Sequence, residues 1–485
     1  MFNRCSGILM SISSLPSKYG IGTFGKEAYN FVDFLSSAGQ KYWQVLPMGP
    51  ISYGDSPYSS FSIYAGNPYY IDLELLIDEG ILTYEDCKTL NSDDEYVNYE
   101  KQFNARYPIL YKAYKNFINH DELNEFKQKN EWVHDYSLFM ALKYHFNQKP
   151  WYKWKKGIKE RNESDLDKYR NQLKDEIEFW SFLQYLFYEQ YFKLKSYAKI
   201  KGISIIGDIP IYVGEDSVEA WCEEKLFIRN LAAGVPPDAF SKVGQLWGNP
   251  VYNWGYLKEN SYEWWIKRLE WSLSLYDVVR IDHFRGLDEF WAVERGLENA
   301  INGKWLPAYG KELFKTALKE IGKLNIIAED LGIITDSVIK LKNEFNFPGM
   351  KVLQFAFDGN PNNPYLPENY EENSVVYTGT HDNDTLIGWF NKLDNASRLY
   401  VLNKLEIMSN LPGNKIIEKV IEKVLKSKSR LTVIPLQDYL GLDSQGRINI
   451  PSTVGGNWMW RVTKNQLNNE LAQKIKQMTI DSNRN

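Results

Sequence analysis

The chain alternates between two hydrophobic periods. Short β-like runs occur at Gly7–Ser17 (GILMSISSLPS), from Tyr42 (YWQVLPMGP), and at Ile203–Val213 (ISIIGDIPIYV), 278–284 (VVRIDHF), Asn325–Gly332 (NIIAEDLG), Lys351–Gly359 (KVLQFAFDG), Val375–Thr385 (VVYTGTHDNDT) and Leu431–Leu442 (LTVIPLQDYLGL). Helical periodicity falls between them. It predicts helices over Glu27–Ala38, with Phe31, Val32, Phe34 and Leu35 near one face and Gly39 as a stop, over Trp180–Lys201, Tyr262–Leu275 and Lys311–Gly322, and near Asn414–Lys426. Parallel strands need helical crossovers, and eight βα units close into a barrel. The pattern therefore predicts an α/β chain, a (β/α)8 barrel spanning 1–485 as a single catalytic unit. An open doubly wound sheet is the alternative, although no G-x-G-x-x-G follows an early strand.

Two stretches depart from the alternation. Residues 70–178 lie between the second and third runs, are rich in Lys, Glu, Asp, Asn and Tyr, and predict a mostly helical insertion with a solvated surface. Residues 214–260 follow the third run. Their core, Gly234–Trp254 (GVPPDAFSKVGQLWGNPVYNW), is rich in Gly, Pro and aromatics and weak in periodicity, so it is expected to be a long active-site loop.

Composition narrows the function classes. The net charge of −5 gives nucleic acid no polycation to meet. No apolar run approaches the ~20 residues of a membrane span. Cys5, Cys87 and Cys222 are far apart, so neither a disulfide framework nor a metal site is expected. A secretory signal at the N-terminus is the alternative to a cytoplasmic chain, but serines break its apolar part and no A-x-A-like site follows. The 16 Trp and 33 Tyr suit a large core. Those beside Gly, Asn and Pro also suit flat ligands such as sugar faces.

The β-like runs end in charge. In a barrel the strand ends form the floor of the active site. Within these runs the third strand is expected to end near Asp208, the fourth at Asp282, the fifth at Glu329 and Asp330, and the seventh at His381 and Asp382. Taken alone, Asp208 and Asp438 read as helix caps, and Asp330, Asp336 and Asp384 as caps or turn residues. The trio Asp282, Glu329 and Asp382 is different, because each sits in polar company and His283 and His381 are two of five histidines. Paired carboxylates at such a floor are what glycosidic chemistry needs, one to attack the anomeric carbon and one to protonate the leaving oxygen. Arg280 lies one strand period before Asp282 and is expected to keep it ionised. Glu329 emerges from the apolar Ile326, Ile327 and Ala328, and burial raises a carboxyl pKa as a general acid requires.

GDIPIYV, RIDHFRG, IAEDLG and TGTHDNDT, in that order, together with YGDSPYSSFSIYAGNPYYID and LWGNPVYNW, closely resemble the 4-α-glucanotransferases called amylomaltases or disproportionating enzymes, glycoside hydrolase family 77 of the α-amylase clan. The resemblance runs from about Ser6 to Val462. It implies transfer of 1,4-α-glucan segments by a retaining mechanism, with Asp282 as nucleophile, Glu329 as general acid/base and Asp382 gripping the distorted sugar. Arg280 and His381 would contact that sugar, and Ser56, Tyr58, Trp247, Asn249 and Asp358 would line subsites. His283 and Asp208, beside the acids, complete the expected binding set. For Tyr58 and Trp247 plain loop packing is the competing reading. Where amylases carry a His five residues after the strand-three Asp, this chain has Val213, and no C-terminal β-sandwich is expected. The implied partners are malto-oligosaccharides or glucans derived from starch or glycogen, with no cofactor and no obligate protein partner. An amylase-type hydrolase and a catalytically dead glucan-binding protein are the alternatives, and the full trio of acids argues against the latter.

Overall fold

A computed structural model describes residues 2–484 apart from 53, 93 and 238–240. Twelve strands are present among the described residues: β1 (Cys5–Leu9), β2 (Tyr42–Gln44), β3 (Ser204–Pro210), β4 (Phe227–Val235), β5 (Gln245–Tyr252), β6 (Val278–Asp282), β7 (Glu289–Glu294), β8 (Lys304–Pro307), β9 (Ile326–Ala328), β10 (Gly349–Val352), β11 (Ser374–Tyr377) and β12 (Leu431–Pro435). Eight of them close into a parallel barrel in the order β1-β12-β11-β10-β9-β6-β3-β2. This is the predicted (β/α)8 barrel, and the doubly wound alternative is excluded.

Strand period 2 sorts the side chains. Leu9, Ile206, Val278, Ile327, Met350, Val375, Leu431 and Val433 fill the interior. Their neighbours Ile8, Ile205, Val279, Ile281, Ile326, Val376 and Ile434 face outward and join the core beneath the helices. The strands run three to seven residues, shorter than several predicted runs, for local reasons. After β1, the hydroxyls of Ser11 and Ser13 bond each other at 2.7 Å and the chain turns into a 3-10 helix, Ile12–Ser14. The sixth strand begins earlier than expected, at Gly349, and gives way to a 3-10 turn at Leu353–Phe355. β12 stops at Pro435, whose fixed φ opens the helix Leu436–Leu440.

Between β2 and β3 lie several helices, among them Tyr99–Asn116, Trp132–His145 and the 27-residue Lys174–Ile200. Much of the aromatic content is spent here as core: Trp180 is 2% exposed, and its ring lies 5.5 Å from that of Tyr107 and 5.2 Å from that of Tyr144.

The expected long loop after the third strand is corrected. Residues 227–252 hold β4 and β5, which pair antiparallel and join β7 and β8 in a four-stranded sheet, β5-β4-β7-β8. Gly248 and Pro250 hid the alternation, and Pro250 is tolerated because β5 is an edge strand. Asp238–Phe240 of that segment lie outside the described residues.

The N-terminal mouth of the barrel is closed by a buried arginine. Arg484 donates to the carbonyls of Cys5, Arg430, Leu425, Ser427 and Ser429, across the seam between β1 and β12. Arg4 reaches the carbonyls of Leu425, Ser427 and Ser482 beside it.

Candidate active site

The opposite mouth, at the C-terminal ends of the strands, gathers the charge. Inward positions of β6 are Val278, Arg280 and Asp282, so the apolar filling gives way to ionised groups one strand period at a time. Arg280 is 4% exposed and pairs with two carboxylates. One Nη contacts both oxygens of Asp208 at 2.7 Å, and the other lies 2.8 Å from Oδ1 of Asp282. Burial works against the Arg280 charge, but Asp208 and Asp282 outweigh it and push its pKa up. The guanidinium is thus a fixed cation beneath Asp282, as its spacing predicted.

Asp282 and Glu329 stand level on adjacent strands. The β6–β9 register pairs Arg280 with Ile327 and Ile281 with Ala328. It continues one step further, with the Glu329 N–H donating to the Ile281 carbonyl at 3.2 Å. His283 then leaves the strand in the left-handed region, φ 53° and ψ 51°. That conformation is uncommon for a non-glycine residue, and histidine is among those that adopt it more readily. The turn aims the His283 N–H at Glu329 Oε2, 2.7 Å away, while the Leu331 N–H donates to Oε1 at 3.2 Å. Burial and the Asp282 charge raise Glu329, and Arg280 and the His283 N–H oppose them, leaving its pKa at about 8. Burial also lowers the His283 imidazole to about 4, so that ring is neutral.

His381 and Asp382 follow β11 and differ in exposure. His381 is 5% exposed, whereas the Asp382 side chain is about half exposed. Asp382 Oδ1 accepts from Asn449 at 2.6 Å, and its carbonyl accepts from Arg447 at 2.7 Å. Tyr58, on the loop after β2, donates to Asp208 Oδ2 at 2.6 Å and stacks on His381 with ring centroids 5.0 Å apart. Asp208 itself is 1% exposed, with both oxygens engaged by Arg280 and Tyr58. It braces two other site residues from inside the barrel instead of capping a helix.

The remaining expected residues are more dispersed. Ser56 Oγ accepts from the Tyr58 N–H at 3.3 Å. On β5, Trp247 is 38% exposed, with its ring edge-on to His283 at 4.8 Å. Asn249, on the same strand, donates to the Val213 carbonyl at 2.8 Å. Asp358 is exposed on the loop after β10, where it accepts from the Asn360 N–H as a turn residue. Two acids read as caps or turn residues are neither: Asp330 is buried against Lys342 at 2.7 Å, and Asp438 accepts from Thr378 Oγ1 and the Leu386 N–H. Asn449, Arg447 and Trp458, whose ring lies 5.8 Å from that of His381, were not singled out in the sequence. They follow the last strand in a segment without periodicity. The fact that Asn449 and Arg447 flank Ile448, which packs into the barrel core, was the available signal.

No described group of His, Cys, Asp and Glu has the makings of a metal site. No helix among the described residues is long and apolar enough to cross a membrane.

Comparison with known proteins identifies the family. The family model described as 4-alpha-glucanotransferase, glycoside hydrolase family 77, matches residues 10–467. A 4-alpha-glucanotransferase of Clostridium butyricum is 48% identical over 97% of this chain and 99% of its own. One from Thermus thermophilus is 41% identical over 98% of each. The amylomaltase of Streptococcus agalactiae, solved in complex with acarbose, superposes with a TM-score of 0.96 at 44% identity over 99% of both chains. The chain belongs to the 4-alpha-glucanotransferase family of glycoside hydrolase family 77.

Proposed function

We propose that the chain moves 1,4-α-glucan segments onto glucose or another 1,4-α-glucan by a retaining double displacement. The observation that carries this is the level placement of Asp282 and Glu329 on adjacent strands. Neighbouring strands lie ~4.8 Å apart. A retaining pair needs its carboxyls ~5–5.5 Å apart, whereas an inverting pair needs ~6.5–9.5 Å to admit water.

In the first step an Asp282 oxygen attacks the anomeric carbon and the bond to the leaving 4-oxygen breaks. Glu329 gives that oxygen its proton. Asp282 suits attack because its Oδ1 is fixed against the Arg280 guanidinium at 2.8 Å, and Glu329 suits donation because burial and Asp282 keep it protonated near neutrality. In the second step the acceptor 4-hydroxyl attacks the same carbon, Glu329 takes its proton, and Asp282 is released. Asp382, held by Asn449, is placed to accept hydroxyls of the distorted sugar. Arg280, His381 and Tyr58 contact the same ring, and Ser56, Trp247, Asn249, His283 and Asp358 serve the subsites beyond it. Asp208 acts through Arg280 and Tyr58.

The substrates in this reading are malto-oligosaccharides and glucans from starch or glycogen. The cytoplasm is the expected compartment, in keeping with three free thiols. Incubation with maltotriose tests the reading: glucose with longer dextrins means transfer, while maltose and glucose alone mean an amylase-type hydrolase.

A further inference from the structure

Directly after Glu329 lies a buried ion pair to which the double displacement gives no part. Asp330 is 8% exposed, and Lys342, on the helix Asp336–Glu344, is 4% exposed. Asp330 Oδ2 accepts from Lys342 Nζ at 2.7 Å, and Oδ1 accepts from the Met350 N–H at 2.7 Å. The side chain is thus pinned to that helix on one side and to β10 on the other. Space for the pair comes from Gly349, where a Cβ would press on both Asp330 Oδ2 and Lys342 Nζ. Gly349 is also where β10 meets β9, in register with Ala328.

A buried ion pair is weak support for stability, because apolar side chains of similar volume often pack as well or better. Its place in the chain gives it another use. Glu329 Oε1 accepts from the Leu331 N–H, so a short turn closes over Asp330. With Asp330 held from two sides, that N–H is held on the general acid. Charge matters as well. Facing Glu329 are Asp282 and Arg280 on β6, His283 through its N–H, Tyr365 from the loop after β10, and Asp330. Lys342 and, on β10, Lys351 face Asp330 in turn. Arg285 donates to the Ile333 carbonyl further along the loop. The Asp330 carboxylate favours the protonated form of Glu329, and a cation such as Lys342 acts in the opposite sense.

We propose that Asp330 is a positioning residue for the general acid: its buried pair with Lys342 fixes the turn that holds Glu329 and places a balanced charge, in place of a bare one, beside that carboxyl. The proposal rests on Glu329 as the acid of the reading above.

The test is the pH profile of kcat/KM on maltotriose, whose alkaline limb reports the acid in the free enzyme. Asp330→Asn removes the neighbouring carboxylate and should move that limb to lower pH by about half a unit or more. Its kcat should fall about tenfold, while KM stays near the parent value because Asp330 touches no sugar. Lys342→Met leaves the carboxylate without its cation and should move the limb to higher pH. Asp330→Asn combined with Lys342→Met buries no lone charge, which keeps the test open should either single variant fold poorly. It still lacks the carboxylate next to Glu329, so its limb should also lie below that of the parent. A limb that stays in place in Asp330→Asn and in the double variant, or that moves to lower pH in Lys342→Met, overturns the proposal. Glu329→Gln separates this failure from the larger one. If its residual activity keeps the parent's alkaline limb, Glu329 is not the acid and both readings fall. If it loses the limb, only the role of Asp330 is at stake.

Discussion

Glu329 carries its proton to about pH 8 in the folded chain, and two consequences follow at the scale of this one residue. The alkaline limb of kcat/KM should fall near that value, since a general acid must be protonated in the free enzyme. Stability moves with it. An unfolded chain releases this proton near 4.5, so between the two values the folded chain binds more protons and loses stability as pH rises. Glu329→Gln cannot ionise, and its melting temperature should gain on the parent between about pH 5 and about pH 8, the window set by that raised pKa. A constant difference across the window would mean that Glu329 ionises normally. The same variant should lose ~10²–10⁴-fold in rate on maltotriose and far less on α-glucosyl fluoride, which leaves without a proton. Asp282→Asn should abolish nearly all activity on both donors, because no glycosyl ester can form. Asp282, Glu329 and Asp382 were legible because a core strand ending in charge is anomalous and the motifs around them are distinctive. Asp208 was harder to read. A helix cap and a buried brace look alike in sequence, and only the register Asp208↔Arg280 separates them.

At the scale of elements, β4, β5, β7 and β8 form a small antiparallel sheet beside the cleft. The sequence concealed it, because glycine, proline and asparagine blur a period of two and β7 begins two residues after the 3-10 turn that closes the β6 motif. The barrel strands were easier, being apolar on both faces, although their ends depended on side-chain bonds such as Ser11 to Ser13. Trp247 therefore sits on a strand and holds its edge to His283 through the sheet as well as through its own contacts. A sugar stacked there would displace water from the glycosyl ester and present its hydroxyl in an oriented pose, which is where transfer gains over hydrolysis. Trp247→Ala should raise the ratio of hydrolysis to transfer on maltotriose beyond any fall in total rate. Resolving glucose, maltose and longer dextrins over time gives the ratio, and an unchanged value would count against this role for Trp247.

Across the whole molecule the catalytic mouth and the sealed mouth divide the labour. Arg484 spans carbonyls at the start of β1 and before β12, so its loss leaves buried acceptors unmet. Arg484→Met should cost ~3 kcal/mol or more, since hydrogen bonds to a charged group contribute ~1.5–3 kcal/mol each. It should lower the urea midpoint and leave kcat/KM on maltotriose unchanged. A loss of activity without a loss of stability would mean that the two mouths communicate. The seam between β1 and β12 also bears on synthesis. β1 emerges from the ribosome first, and β2 follows soon after, but its other edge has no partner until residues 431–435 have been made. The nascent chain must therefore carry an open strand edge while all the residues between β1 and β12 are made, and a slow or stalled ribosome lengthens the time in which that edge can pair with a neighbouring chain.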